Sequence, residues 1–142
     1  MTTPSLDLAA FQERMLAAPF HRWLGLKLQA AGHDGVTIVM PWREEMVSDP
    51  VRRYTHGGIL AALIDLTADY AIAAPIGRGV PTIDMRIDYH RAAMPGDLVA
   101  RGTVIKLGTT VSTAGAEVHD RDGKLIASGR GVYFTAEPRS AP

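Results

Sequence analysis

Apolar residues recur along this chain in two rhythms, one helical and one alternating, and the rhythms divide it into elements. Leu8, Phe11, Met15 and Leu16 approximate one stripe at helical spacing, which predicts a short amphipathic helix over residues 5–17, with Ser5 as N-cap and Pro19 as its stop. Residues 24–31 and 36–41 read as strands joined by the turn Gly32-His33-Asp34-Gly35. A loop over 42–55 follows, carrying Asp49-Pro50 and the basic pair Arg52-Arg53. Residues 57–74 are rich in Ala and Leu and predict one long helix, ended by Pro75 and Gly77.

Beyond that helix the pattern is strand after strand. Residues 82–90 alternate cleanly, with Ile83, Met85, Ile87 and Tyr89 on one face and Thr82, Asp84, Arg86, Asp88 and His90 on the other. Turn signals at 94–97, 108–109 and 120–123 separate three further strands over 98–107, 110–119 and 125–135. Helix, two strands, one apolar helix and four strands imply an α+β chain with an antiparallel sheet. The long helix is too apolar for a surface helix, so the simplest packing curls the sheet around it.

Composition narrows the class. The 142 residues make up one domain's length, and the expectation is a single domain over 1–142 with loose ends at Thr2-Thr3-Pro4 and at 137–142. Fifteen Lys and Arg balance fifteen Asp and Glu, which argues against a nucleic-acid binder or an electrostatic membrane binder. There is no cysteine, which removes disulfide scaffolds, thiolate zinc sites and cysteine nucleophiles. Asp7, Glu13 and Arg14 interrupt any leader-like apolar run near the start, and the apolar run 59–74 is short and holds Asp65 and Asp69. The expectation is a cytoplasmic protein.

The candidate chemistry lies at the start of the long helix. Gly57-Gly58 places unencumbered backbone N–H groups at a positive helix end, where a carbonyl or anion can approach. The same pair also serves as a tight entry into a helix. Asp65 has Ala61, Ala62, Ala68 and Asp69 as its helix neighbours, so no cation is available for an i,i+4 pair. It is either a solvated or externally paired carboxylate, or one facing a cleft. In a cleft, desolvation and a like charge one turn on raise a carboxylate's pKa, which prepares a base or nucleophile. Asp69 reads as supportive.

His56-Gly57-Gly58 with Asp65 seven residues after Gly58 resembles the signature of hotdog-fold acyl-CoA thioesterases of the phenylacetate-degradation (PaaI-like) type. Leu24-Gly25-Leu26 resembles the family's first strand, and residues 82–89 with the run Arg91-Ala92-Ala93-Met94-Pro95-Gly96-Asp97 resemble its third strand and following turn. Lys106-Leu107-Gly108 and residues 123–129 match later landmarks, so that the resemblance covers nearly the whole chain. The resemblance implies hydrolysis of an acyl-CoA or aryl-acyl-CoA thioester to free acid and CoA, with no cofactor beyond the substrate's own CoA. It implies Asp65 as general base or nucleophile, the Gly57 N–H polarising the thioester carbonyl, and His56 orienting the loop or moving a proton. Thr82 would help hold the attacking water, and His90, Arg91, Lys106, Gly108 and Thr109 would receive CoA. In such a family the Gly57 loop and the Asp65 helix meet across a homodimer, with tetramers common.

One position departs from the pattern. The family usually carries Asn or Gln six residues before the motif histidine; here Pro50 stands there, with Ser48, Asp49 and Arg52 as nearby substitutes. That departure favours the alternative of a non-catalytic acyl-CoA binder. A hydratase is disfavoured because its D-x-N-P-x-H and His-Phe-Pro runs are missing, and a metal enzyme because no two histidines sit at ligand spacing. His21, His33 and His119 read as isolated and solvated. Leu60, Leu63, Ile64, Met85 and Met94 are the candidates for an acyl pocket.

Overall fold

A computed structural model of the chain describes residues 5–139, so the extreme ends of the expected loose tails, 2–4 and 140–142, lie outside it. The first helix, α1, spans Leu8–Leu16, and its N-cap is Asp7 rather than Ser5: the Asp7 carboxylate accepts from Ala10 N–H at 3.1 Å. Pro19 stops this helix and also opens another. It is the first residue of α2, Pro19–Leu24, where a missing N–H costs nothing, and Gly25 closes that helix in the left-handed region at φ 70°. Leu24 is therefore a buried helical residue, and β1 begins only at Lys27 and runs to Gly32.

The hairpin partner β2 spans Gly35–Met40, and a 3-10 turn at Glu44–Met46 interrupts the following loop. The long helix α3, Gly57–Ile76, runs past Pro75, which is exposed in the last turn; Gly77, at φ 81°, ends it by donating to the Ala73 carbonyl at 2.7 Å. Its 20 residues are long and apolar enough to cross a membrane on those two criteria, contrary to the count over 59–74. Here the sheet occupies that role, covering Leu60, Leu63, Ile64, Ala68, Ala71 and Ile72.

Four strands follow: β3 Thr82–Tyr89, β4 Leu98–Lys106, β5 Val111–His119 and β6 Leu125–Phe134. All six strands form one antiparallel sheet in the order β1-β2-β4-β5-β6-β3, wrapped on α3. Two glycines permit the close approach. A Cβ at Gly102 would lie 2.5 Å from the Thr67 carbonyl oxygen, and one at Gly129 would lie 2.7 Å from Ile64 Cγ2.

Chain order hides that β3 is an edge strand. Its expected half-buried apolar face is realised only in part: Met85 and Ile87 are half-buried, whereas Ile83 and Tyr89 are more than half exposed. An edge strand has one neighbour, β6, and its other row of N–H and C=O groups is open.

Candidate active site

Asp65 lies midway along α3, half-buried. Its Oδ1 accepts from Thr82 Oγ1 at 2.8 Å and from Tyr133 Oη at 3.1 Å, and the same phenol reaches the Asp65 backbone carbonyl at 3.0 Å. Simple alternation would turn Thr82 to the outer face with Asp84, Arg86 and Asp88. A β-bulge between Thr82 and Asp84 reverses it: Thr82 pairs with inward-facing Tyr133, while Asp84 pairs with Val132. Re-aiming a side chain is what a one-residue bulge does. Among the described residues Asp65 has hydroxyl partners and no salt bridge.

Tyr133 is the site residue that sequence reasoning misses. It is fully buried, and burial first, then the Asp65 charge, pushes its phenol well above the usual range, so it is a permanent donor. The signal was Gly129-Arg130-Gly131-Val132-Tyr133, which puts two glycines on the tyrosine's own strand face. A Cβ at Gly131 would sit 2.5 Å from the Tyr133 ring.

At the helix start His56 is the N-cap, its Nδ1 accepting from Gly58 N–H at 2.8 Å. Tyr89 Oη donates to the Gly57 carbonyl at 2.8 Å. The 57–58 peptide is thus held at both ends, and Ile59 and Leu60 N–H return to the His56 carbonyl. Gly57 N–H is left without an acceptor among the described residues. It opens on a cleft of about 390 Å³ lined by Leu60, Tyr89, His90 and Arg91.

The remaining candidates do not form one cluster. His90 Nε2 pairs with Ser128 Oγ at 2.8 Å, and Arg91 donates to the Leu125 carbonyl at 3.0 Å, both at the Gly57 end of the sheet. Lys106, Gly108 and Thr109 lie at the opposite end, the Asp65–Thr82 end; Lys106 and Thr109 are exposed, and Gly108 is tied to Ser112 and Thr135. Within one protomer Gly57 and Asp65 are about 12 Å apart along the helix at ~1.5 Å per residue.

Several expectations are corrected. Leu63 and Ile64 are fully buried in the core; Leu60 lines the Gly57 cleft, and Met94, exposed, lines a separate cleft with Pro95, Asp97 and Arg121. His21 is half-buried, its Nδ1 2.9 Å from the Met15 carbonyl, and His119 is half-buried with Nδ1 inaccessible and unpartnered among the described residues, so neither is simply solvated. Pro50 is exposed in a hairpin closed by the Val47–Thr55 bridge. Asp49 Oδ1 there accepts from Val51 and Arg52 N–H, at 2.8 and 2.9 Å, so that oxygen is committed to the turn.

Burial acts strongly on the second helix carboxyl. Asp69 is raised to about 6, chiefly by desolvation, with a smaller push from the Asp65 charge and an opposing pull from Val80 N–H at 3.1 Å. A folded-state pKa above the unfolded value means stability present at low pH and lost as pH rises from about 4 through 6. Asp69→Asn keeps the acceptor for Val80. It is expected to stabilise the fold by up to ~3 kcal/mol at pH 8 and to give no gain below pH 4, as read by urea unfolding at both pH values.

One antiparallel sheet of six strands wrapped on one long helix is the hotdog architecture. Residues 53–127 match the Thioesterase superfamily, and the chain belongs to that superfamily. A solved thioesterase superfamily protein is 50% identical, with a TM-score of 0.87 over 89% of this chain and 96% of its own. Zebra fish thioesterase superfamily member 2 is 29% identical, with a TM-score of 0.81 over 93% and 100%. The medium/long-chain acyl-CoA thioesterase YigI of Salmonella typhimurium is 26% identical over 131 residues, 82% of this chain and 84% of its own.

Proposed function

We propose that this chain is a cytoplasmic acyl-CoA thioesterase of the PaaI-like type, working as a homodimer whose two sites each take Gly57 from one protomer and Asp65 from the other. The observation that carries the reading is the Asp65 carboxylate, held by two hydroxyls, without a cation, beside an open strand edge. A salt-bridged structural carboxylate would be committed to its cation; among the described residues this one has hydroxyl partners only. Asp65 takes a proton from water, or attacks directly, and a C–O bond forms at the thioester carbon. The oxyanion that develops accepts from Gly57 N–H. The C–S bond then breaks and CoA leaves as thiolate. On the base route the free acid forms directly and the thiolate takes up the proton that Asp65 drew from water. On the nucleophile route an Asp65–acyl anhydride remains, which water hydrolyses to the free acid, restoring the Asp65 carboxylate and giving a proton to the thiolate.

The dimer supplies what one chain lacks. A two-fold axis through the middle of β3 pairs it antiparallel with its copy and sets Thr82 opposite the partner's Tyr89, whose hydroxyl marks the Gly57 loop. The Asp65–Thr82 end of one protomer then meets the Gly57–His90–Arg91 end of the other, and exposed Ile83 and Tyr89 are covered. Assayed against a panel of acyl- and aryl-CoA esters, the protein is expected to release free thiol and to sediment as a dimer or tetramer at micromolar concentration. Tight CoA-ester binding without thiol release at any pH would leave the non-catalytic binder, which Pro50 favours; a monomer would end the shared-site model.

A further inference from the structure

Both hydroxyl donors at Asp65 converge on one carboxylate oxygen. Thr82 Oγ1 and Tyr133 Oη each reach Oδ1, at 2.8 and 3.1 Å, and no partner of Oδ2 is found among the described residues. The phenol also spans from that oxygen to the Asp65 main-chain carbonyl at 3.0 Å, so one hydroxyl ties the side chain to its own backbone. This bridge restricts rotation of the carboxylate about χ1. Its anchor is rigid: Tyr133 is fully buried on β6, and its ring occupies the space that Gly131 leaves, where a Cβ would come within 2.5–2.7 Å of three ring and hydroxyl atoms.

We propose that Tyr133 is a positioning residue that locks Asp65 through Oδ1 and thereby makes Oδ2 the atom that takes the proton from water or attacks the thioester. The proposal rests on the thioesterase reading above and adds to it the orientation of its carboxylate. Gly131 belongs to the same device, as the vacancy that lets the ring lie back along its strand toward α3.

The test is Tyr133→Phe, which removes one oxygen and keeps the buried ring. It is expected to lower kcat about tenfold, in the range of one oriented hydrogen bond at a reacting group, with KM within about twofold. Site-specific 3-fluorotyrosine at 133 retains ring and hydroxyl and is expected to keep kcat within about twofold of the parent's. Where the phenylalanine variant folds poorly, Gly131→Ala, which moves the hydroxyl, is expected to show the same loss of kcat at unchanged KM. Gly131→Ala displaces the ring, and the double variant with Tyr133→Phe is expected to fall no further than the worse single variant, because both remove the same contact. Parent kcat in Tyr133→Phe, or a loss in the 3-fluorotyrosine protein as large as that in Tyr133→Phe, would overturn the positioning role. With Asp65→Asn inactive alongside, that outcome removes Tyr133 alone; parent-like activity in Asp65→Asn removes the thioesterase mechanism itself.

Discussion

Asp65→Asn is expected to lower kcat on a preferred acyl-CoA ester at least 100-fold, about 3 kcal/mol of barrier or more. The fold should survive, because the asparagine Oδ1 still accepts from Thr82 and Tyr133 and neither donor is left unpaired. What disappears is the charge and the basicity of the second oxygen, and both the base and the nucleophile routes require them. Asp69→Asn is the matched control on the same helix. Its carboxyl is spent on Val80 N–H, so its removal alters stability and leaves kcat within a few-fold of the parent. Thiol release measured on the three proteins, with circular dichroism to confirm folding, decides it. Equal turnover in Asp65→Asn and the parent would remove Asp65 from the chemistry.

Much of this architecture is legible in the sequence because its periodicities are long. Eight alternating residues from Thr82 and a long, mostly apolar helix from Gly57 leave few alternatives. Legibility fails where one residue plays two parts. Pro19 stops one helix and starts another, and nothing in the pattern separates those roles. Thr82 follows the alternation in sequence and breaks it in space, because a bulge has no composition signature in this strand. Tyr133 belongs to the site only through a close β6–α3 approach that Gly129 permits and the ring space that Gly131 leaves, the first a contact far apart in sequence. The edge position of β3 follows from the crossover order of the sheet, and local pattern carries no record of that order. Gly57 and Asp65 stand out in the sequence because each violates a local expectation, two glycines opening a helix and an acid in its apolar middle; His56 stands out only through the family resemblance.

Gly57→Pro should cost as much as Asp65→Asn, and the pair together locate the site. Proline is suited to the first position of a helix, and His56, at φ −58° and ψ 133°, already has the extended conformation that a following proline demands. The substitution therefore removes one N–H, the one left free, with the helix start intact; a loss of 100-fold or more in kcat is expected for a sole oxyanion donor. Gly57→Ala is the control, since it adds the Cβ that would lie 3.4 Å from the Tyr89 ring and keeps the N–H; its kcat should stay near the parent's. Mixing and reassociating the Gly57→Pro and Asp65→Asn proteins then separates the geometries. In a mixed dimer one site combines both lesions, while the other draws an intact Gly57 from the Asp65→Asn protomer and an intact Asp65 from its partner. Random reassociation puts half the dimers in that form, so roughly a quarter of parental activity should return from two inactive preparations, given the two-fold symmetry of the pair. If each site were built within one protomer, every site in the mixture would carry a lesion, and activity would stay at the level of the separate variants.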